Sequence, residues 1–228
     1  MKTNILIRKI NRPPKKIIEA FKGIPVANIA DALGKPSNFT IDPNIRPAFN
    51  GISLLGPALT VKDKPGCNLM THAAIDLAEE GDVLVIDAES HLGAATGGFM
   101  MSRKMIHKEI RGVVIDGAWR DKAEIIKATF PVYCRGWQPT GPNKELAGSV
   151  NIPITCGGIV VNPGDIVIGD DDGVIIVPKD IAEDAAIEAK KIMEIEEDRV
   201  KETRIEIITA PSPYASSERL KELGVEIQ

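Results

Sequence analysis

The sequence predicts a single-domain α/β fold that combines parallel and antiparallel strands in a layered arrangement. In the middle of the chain, apolar strand patterns alternate with helical patterns, as in crossover units with parallel strands. In the last third, short apolar runs are joined by turns rich in Pro, Gly and Asp, which indicates antiparallel strands. The 228 residues contain no internal repeat and no dividing linker, so one domain over 1–228 is expected.

The first 35 residues or so form a predicted helical entry. A helix is expected over 14–21, which has apolar residues on one side and stops at Gly23, and a second, short helix over 28–33, which ends at Gly34. Residues 35–50 are rich in Pro and Asn and are predicted as a loop. The apolar run 56–61 is predicted as a strand.

The middle third predicts three helix–strand pairs. In chain order they are helix 68–80, strand 82–88, helix 97–110, strand 112–116, helix 121–129 and strand 132–135. The first two of these strands are almost continuously apolar, which is typical of strands covered on both faces. Asn68 is the expected N-cap of the first helix.

The last third predicts short strands around 157–161, 166–169 and 174–178, separated by the turns 162–165 and 170–173. The turn 170–173 contains three aspartates, but the spacing of a calcium loop is absent, so a hairpin turn is expected. A long charged helix is predicted from about 179 to about 203.

Composition and charge argue against several classes of partner. Lys and Arg total 28 against 32 Asp and Glu, a formal charge of −4, which gives no bulk attraction to nucleic acid or an anionic membrane. No apolar run approaches the ~20 residues that span a bilayer. The three cysteines show no metal-ligand spacing and are expected to be reduced thiols. We therefore expect a cytoplasmic protein.

The most informative stretch is 112–124, where a buried strand is followed by Gly117 and a helix. Ligands in α/β sheets gather at the carboxyl ends of strands, so Arg120 and Asp121 are the leading candidates. Arginine can bind a carboxylate with two parallel hydrogen bonds, and aspartate can hold a hard divalent cation. Asp121 can also be read as a helix N-cap with Glu124 as its capping-box partner, and the two roles can coexist.

A second junction, 87–102, contains Gly93, Gly97 and Gly98 before a predicted helix. Glycines allow the backbone to approach a ligand, and the helix amides that follow can bind an anion. By itself this stretch also fits a turn with small residues chosen for packing. It has neither the GK[ST] of a Walker loop nor a GxGxxG fingerprint.

Taken together, the two junctions resemble the RraA-like family, which includes the regulator of ribonuclease activity A and the 4-hydroxy-4-methyl-2-oxoglutarate aldolases. The segments that carry the resemblance are NIADALG (28–34), GPALTV (56–61), GDVLVIDA (81–88), GG (97–98), GVVIDGAWRD (112–121), PVYCRGWQPTGP (131–142) and GDIVIGDDDGVIIVP (164–178). The resemblance implies a layered α/β/α domain of the swivelling-domain type. It also implies assembly as a homotrimeric ring or as a hexamer of two rings.

The resemblance also implies roles for individual residues. Arg120 matches the arginine that holds the substrate carboxylate and the developing enolate oxygen, and Asp121 matches the ligand of Mg²⁺ or Mn²⁺. The loop that offers backbone N–H groups to a 2-oxo acid matches Gly98, Phe99, Met100 and Met101. These assignments make Arg120 and Asp121 the expected catalytic pair.

The supporting acidic residues match the family less well. Glu124 matches the acidic residue that follows the pair, and Glu196 or Glu197 could be the acid that a neighbouring subunit's carboxyl-terminal helix contributes. Many aldolases carry an acid twenty-one positions before the arginine, where it holds a water molecule on the metal, but Phe99 stands there in this chain. An aromatic ring cannot accept a proton, so the proton-transfer step and the general base stay open.

The expected function is a class II, metal-dependent aldolase or decarboxylase. Its substrate would be a 4-hydroxy-2-oxo diacid or oxaloacetate, and its product pyruvate. Two alternatives stay open at this point: a non-catalytic regulator of a ribonuclease, and a related lyase with another 2-oxo acid substrate. Other residues rank lower, since His107 is expected on a helix surface, Cys134 in the core, and only His91 lies near the glycine-rich stretch.

Overall fold

A computed structural model describes residues 4–34, 39–202, 212 and 215–226. The chain divides into two compact units, residues 1–192 and 193–228. Extension of one domain to residue 228 therefore stays a prediction. Within the described ranges, none of the helices is long and apolar enough to cross a membrane.

The strands are β1 (Arg46–Pro47), β2 (Leu54–Lys62), β3 (Val83–Gly97), β4 (Gly112–Trp119), β5 (Val132–Trp137), β6 (Ser149–Val150), β7 (Ile154–Cys156), β8 (Ile159–Val161), β9 (Ile166–Gly169) and β10 (Val174–Val177). The helices are α1 (Lys15–Glu19), α2 (Val26–Ala32), α3 (Leu69–Leu77), α4 (Phe99–His107), α5 (Lys122–Lys127), α6 (Ala182–Glu202) and α7 (Ser217–Glu222). The entry region contains the two short helices α1 and α2, and the long charged helix begins at Ala182, three residues after the expected start near 179.

The main sheet is mixed, as predicted. Its order is β1-β5-β4-β3-β2-β9-β10, with β6 also paired to β2. The central strands β2, β3, β4 and β5 are parallel, and all other pairings in the sheet are antiparallel. The strands β7 and β8 form a separate antiparallel hairpin. The α/β class with parallel and antiparallel strands is therefore confirmed.

Two apolar clusters lie on opposite faces of the central strands. On one face, alternate residues of β2–β5 pack against α3, α4 and α5, with Ile75, Met105 and Ile125 as fully buried contacts. On the other face, the intervening residues pack against the hairpin β7–β8 and strands β9 and β10. Burial on both faces explains why β4 is apolar and buried along its whole length.

The structure corrects the predicted ends of β3 and β4. β3 continues to Gly97, and β4 continues to Trp119, so the glycine-rich stretch is mostly strand rather than turn. The pairing of β3 with β4 shifts register three times after Asp87, and Glu89 and Ser90 adopt φ values of 53° and 56°. Because these bulges interrupt the alternation of apolar and polar residues, the strand pattern is hidden in the sequence.

The predicted capping of α3 is also wrong. Asn68 occupies the N-cap position, but its side chain makes no capping hydrogen bond. Asp63 does this instead, since its carboxylate accepts hydrogen bonds from the backbone N–H groups of Met70 (2.9 Å) and Thr71 (3.2 Å) and from the Thr71 hydroxyl. Asp63 is completely buried, and this burial raises its pKa to about 6.

The cysteines, the turn 170–173 and α6 lie outside the pairing of β3 with β4. All three cysteines are free and buried. The aspartates of the turn 170–173 serve the backbone, since Asp170 accepts a hydrogen bond from Val26 N–H and Asp171 accepts from Gly51 N–H. α6 packs through its alanines (182, 185, 186 and 189), whereas its Ile187 and Ile195 are exposed.

Candidate active site

The site lies where β3 and β4 end side by side. Gly97 is paired with Trp119 at the last register position of the two strands. Immediately beyond it, the Arg120 N–H donates to the Gly97 carbonyl oxygen at 3.1 Å. The chain leaving β4 therefore lies against the chain entering α4, and the two junctions predicted separately from the sequence come together.

Gly98 is the point of closest approach between these two segments. A Cβ atom built there would lie 2.5 Å from Asp121 Oδ2 and 2.7 Å from Arg120 Cγ, far inside contact distance. The backbone of Gly98 is extended, so the residue is small because of this crowding and not because of its backbone conformation. Gly97 is small for a different reason: a Cβ there would collide with the buried Trp119 ring.

Asp121 links the two segments by a hydrogen bond. Its Oδ2 accepts the Phe99 N–H at 2.9 Å, which is the first N–H group of α4. Its own backbone adopts the left-handed conformation, with φ 62° and ψ 42°. The capping-box reading is therefore wrong in detail: Asp121 precedes α5 but makes no side-chain hydrogen bond to it, and caps α4 instead.

Arg120 and Asp121 form a loose, accessible ion pair. Arg120 Nε lies 3.8 Å from Asp121 Oδ2, and the two side chains are 43% and 39% exposed. A separation at the upper limit for an ion pair leaves both charged groups free to engage a ligand. A carboxylate next to a guanidinium, both reachable from solvent, can bind a cation and an organic anion at one place.

The first turn of α4 supplies further donors. The first four N–H groups of a helix have no partner within the helix, and Asp121 accepts only that of Phe99. Among the described residues nothing accepts from the N–H groups of Met100 and Met101, which can therefore bind a ligand. The Met100 side chain is 71% exposed, whereas Phe99 and Met101 pack against the core on the helical face of the sheet. An acid at position 99 would therefore face apolar packing.

The acidic residues predicted to support the pair lie on α5 and α6. Glu124 is exposed on α5 and makes no capping contact with Asp121. Glu196 and Glu197 are exposed in α6, within the second compact unit, and their contribution to a neighbouring subunit stays a prediction. His107 is exposed on α4 and Cys134 is buried, as expected.

The donor set can be tested against the chemistry of metal ions. In the described part of the chain, no three His, Cys, Asp or Glu residues are grouped so that they could hold a metal. A zinc site built from protein ligands does not fit this arrangement. Mg²⁺ fits it, because this ion is commonly held by one or two carboxylates while substrate oxygens and water complete its shell. Asp121 is the carboxylate at the site.

Sequence reasoning missed two neighbours of the site. Gly141 lies beside the guanidinium, and a Cβ there would be 2.9 Å from Arg120 Nη1. Asn68 donates from Nδ2 to the sulfur of Met101 at 3.5 Å, and its buried Oδ1 has no partner among the described residues. The only sequence signal for Gly141 was its place in the segment 131–142 that carries the family resemblance.

The charged side chains of the site are partly exposed to solvent. Two cavities of about 500 and 470 Å³ lie around the turn Gly157–Gly158, and neither is lined by Arg120 or Asp121. We assign the site from its chemistry, because the convergence of a guanidinium, a carboxylate and a helix N-terminus is more informative than cavity volume.

Comparison with known proteins identifies the family. A family model described as RraA-like (Aldolase/RraA) matches residues 26–176. The chain belongs to the RraA-like family. The matched region contains every residue of the site described above.

Curated relatives of this RraA-like chain include aldolase-named proteins. It is 38% identical over 174 residues to the protein named "Putative 4-hydroxy-4-methyl-2-oxoglutarate aldolase" of Halalkalibacterium halodurans. The matched region covers 76% of this chain and 82% of that relative. It is 31% identical over 183 residues to an uncharacterised protein of Methanocaldococcus jannaschii, covering 79% and 86%.

Among solved structures, Streptomyces coelicolor RraAS2, described as an unusual member of the RNase ES inhibitor RraA family, has a TM-score of 0.78 and 24% identity. The match covers 86% of this chain and 100% of that one. At this identity the likeness supports the fold alone.

Proposed function

We propose that the protein is a divalent-metal-dependent lyase that releases pyruvate from a small 2-oxo acid. The substrates we propose are oxaloacetate and a 4-hydroxy-2-oxo diacid of the 4-hydroxy-4-methyl-2-oxoglutarate type. The observation that carries the proposal is the convergence of Arg120, Asp121 and the N-terminal turn of α4 at one accessible place. The aldolase name of the relative at 38% identity supports the same reaction class.

Binding would begin with the charged groups of the substrate. Arg120 offers a planar pair of N–H donors that matches a carboxylate. The free N–H groups of Met100 and Met101 at the positive end of α4 favour the same negative charge. A 2-oxo acid has its carboxylate next to a carbonyl, so these donors can bind a carboxylate oxygen and the C2 carbonyl oxygen together.

Asp121 would hold Mg²⁺ or Mn²⁺ through a carboxylate oxygen. The cation would supply Lewis-acid polarisation of the C2 carbonyl of the substrate. The hydrogen bond from Phe99 N–H fixes the orientation of the Asp121 carboxylate before ligands arrive. Such a fixed carboxylate needs no rearrangement to bind the ion.

Arg120 also has a role in bond breaking. When the C3–C4 bond breaks, its electron pair moves to form the enolate of pyruvate, and negative charge accumulates on the C2 oxygen. The Arg120 guanidinium, held next to this oxygen, would stabilise the charge. Retro-aldol cleavage and decarboxylation produce the same enolate, so one site can carry out both.

Phe99 favours decarboxylation over aldol cleavage. In aldol cleavage a base must remove the proton of the 4-hydroxyl group, whereas the leaving carboxylate of oxaloacetate has already lost its proton. The ring of Phe99 packs against the core and offers no acceptor for that proton. We therefore propose that oxaloacetate is turned over faster than a 4-hydroxy-2-oxo diacid.

Assembly and location are part of the same proposal. We propose a homotrimer or hexamer, as the family resemblance implies, and a cytoplasmic protein. Asp121 caps α4 and also presents an accessible carboxylate beside Arg120, and this second feature fits the enzyme better than a regulator of a ribonuclease.

The test is pyruvate release from a panel of 2-oxo acids, coupled to lactate dehydrogenase, with Mg²⁺ present and the spontaneous decay of oxaloacetate subtracted. We expect Arg120→Lys to lower kcat/KM by about 100-fold, because lysine cannot reproduce the two-pronged contact. Lys127→Gln, an exposed change on the adjacent α5, is the control and is expected to keep wild-type activity. Absence of pyruvate from every substrate, or an unaffected Arg120→Lys variant, would contradict the proposal.

A further inference from the structure

Two glycines lie against the Arg120 side chain. A Cβ on Gly98 would be 2.7 Å from Arg120 Cγ and 3.1 Å from Nε. A Cβ on Gly141 would be 2.9 Å from Nη1, near the end of the same side chain. Gly141 has no positive φ, so its backbone could be adopted by any residue. Position 141 is instead limited by space, because a side chain there would collide with the guanidinium.

The segment that carries Gly141 is held on both sides by backbone hydrogen bonds. Before Gly141, the Gln138 N–H donates to the Trp119 carbonyl at 2.9 Å and Thr140 accepts from the Ala95 N–H at 2.8 Å. After it, the Asn143 N–H donates to the Gly66 carbonyl at 2.9 Å. Prolines 139 and 142 further restrict the backbone on either side. The position of Gly141 is therefore fixed by hydrogen bonds to β3, to β4 and to Gly66.

We propose that Gly141 is a positioning residue, which holds the Arg120 guanidinium in the orientation that binds the substrate carboxylate. This inference rests on the proposed function for its catalytic consequence. A 43% exposed arginine would otherwise sample several rotamers, and fixing it on binding would cost up to about 2 kcal/mol of side-chain entropy. The backbone around Gly141 is anchored by hydrogen bonds, so the space that Nη1 occupies beside it is set during folding and part of this cost is met then.

Gly141→Ala tests the contact with little risk to the fold. The added methyl group would meet the far end of a flexible side chain, so the guanidinium would move and the backbone would not. Gly136→Ala is the matched control, because it lies in the same part of the chain and its Cβ would meet only Leu92 Cδ2, at 3.1 Å. Both variants add one methyl group at a glycine without positive φ.

We expect Gly141→Ala to lower kcat/KM by about 10- to 100-fold, since a displacement of about 1 Å in a catalytic group can cost 100-fold. KM should rise while kcat falls, because Arg120 serves both carboxylate binding and charge stabilisation. Partial unfolding would lower kcat alone and leave KM unchanged. The melting temperature and the Gly136→Ala kinetics should match those of the wild type.

Crystal structures of the wild type and Gly141→Ala provide a readout that needs no activity. A displaced guanidinium is expected, and an unmoved guanidinium with kcat/KM within about twofold of the wild type would overturn the inference. If the wild type releases no pyruvate, the proposed function fails. The two crystal structures then still decide whether Gly141 sets the position of the guanidinium: a moved guanidinium supports this part of the inference, and an unmoved one overturns it.

Discussion

Substitutions at Asp121 can separate three contributions of this residue: its left-handed backbone conformation, its hydrogen bond to α4 and its negative charge. Its φ of 62° is tolerated by Asn and Gly, but costs Ala about 1–2 kcal/mol. The hydrogen bond from Phe99 N–H is partly exposed, so losing its acceptor costs about 0.5–1 kcal/mol. Asp121→Ala loses both terms, about 2 kcal/mol in total, which lowers the melting temperature by about 4–8 °C for a chain of this size. Asp121→Asn keeps both the backbone fit and an acceptor oxygen.

Thermal unfolding in excess chelator measures these differences without any contribution from bound metal. We expect Asp121→Asn within about 1 °C of the wild type, Asp121→Gly slightly lower, and Asp121→Ala lowest. All three should lose pyruvate release, because none retains the negative charge. If Asp121→Asn unfolds at as low a temperature as Asp121→Ala, the account of the left-handed backbone and the shared cap is refuted.

Two further predictions concern the surroundings of the site. Phe99→Asp should lower the melting temperature by several degrees, because the ring packs against the core, whereas Phe99→Leu should lower it much less; equal melting temperatures would show that the ring contributes nothing. The folded protein binds the Asp63 proton more tightly than the unfolded chain does, since burial raises the pKa of Asp63 to about 6. Protonation of Asp63 should therefore add about 2 kcal/mol to the free energy of unfolding between pH 7.5 and pH 4. Urea titrations should show that Asp63→Asn lacks this increment, and an identical pH dependence in both proteins would exclude Asp63 as its source.

Periodicity predicted the central strands because they are buried on both faces, so each is a run of apolar residues. The ends of β3 were not predictable in this way. Between Asp87 and Gly97 the strand is bulged, with two left-handed residues, and its side chains alternate neither by polarity nor by size. Local pattern is uninformative where tertiary pairing decides the conformation.

In the candidate site, too, some residues could be predicted from the sequence and others could not. Arg120 and Asp121 were identified from their place after a buried strand, because strand ends collect ligands in α/β sheets. The partner that Asp121 caps could not be identified, since Phe99 is twenty-two positions away and the sequence offered Glu124 as a local alternative. Gly141 was equally hidden, because its relevance depends on where a distant arginine side chain lies.

The most direct test of the central claim is pyruvate release from oxaloacetate by protein stripped of metal, before and after Mg²⁺ or Mn²⁺ is restored. The rate of spontaneous decay under each condition is subtracted, and Asp121→Asn is measured in parallel. We predict that the stripped wild type is inactive, that metal restores its activity, and that Asp121→Asn stays inactive in both conditions. Equal rates with metal and with excess chelator, or a wild-type rate in Asp121→Asn, would contradict the account.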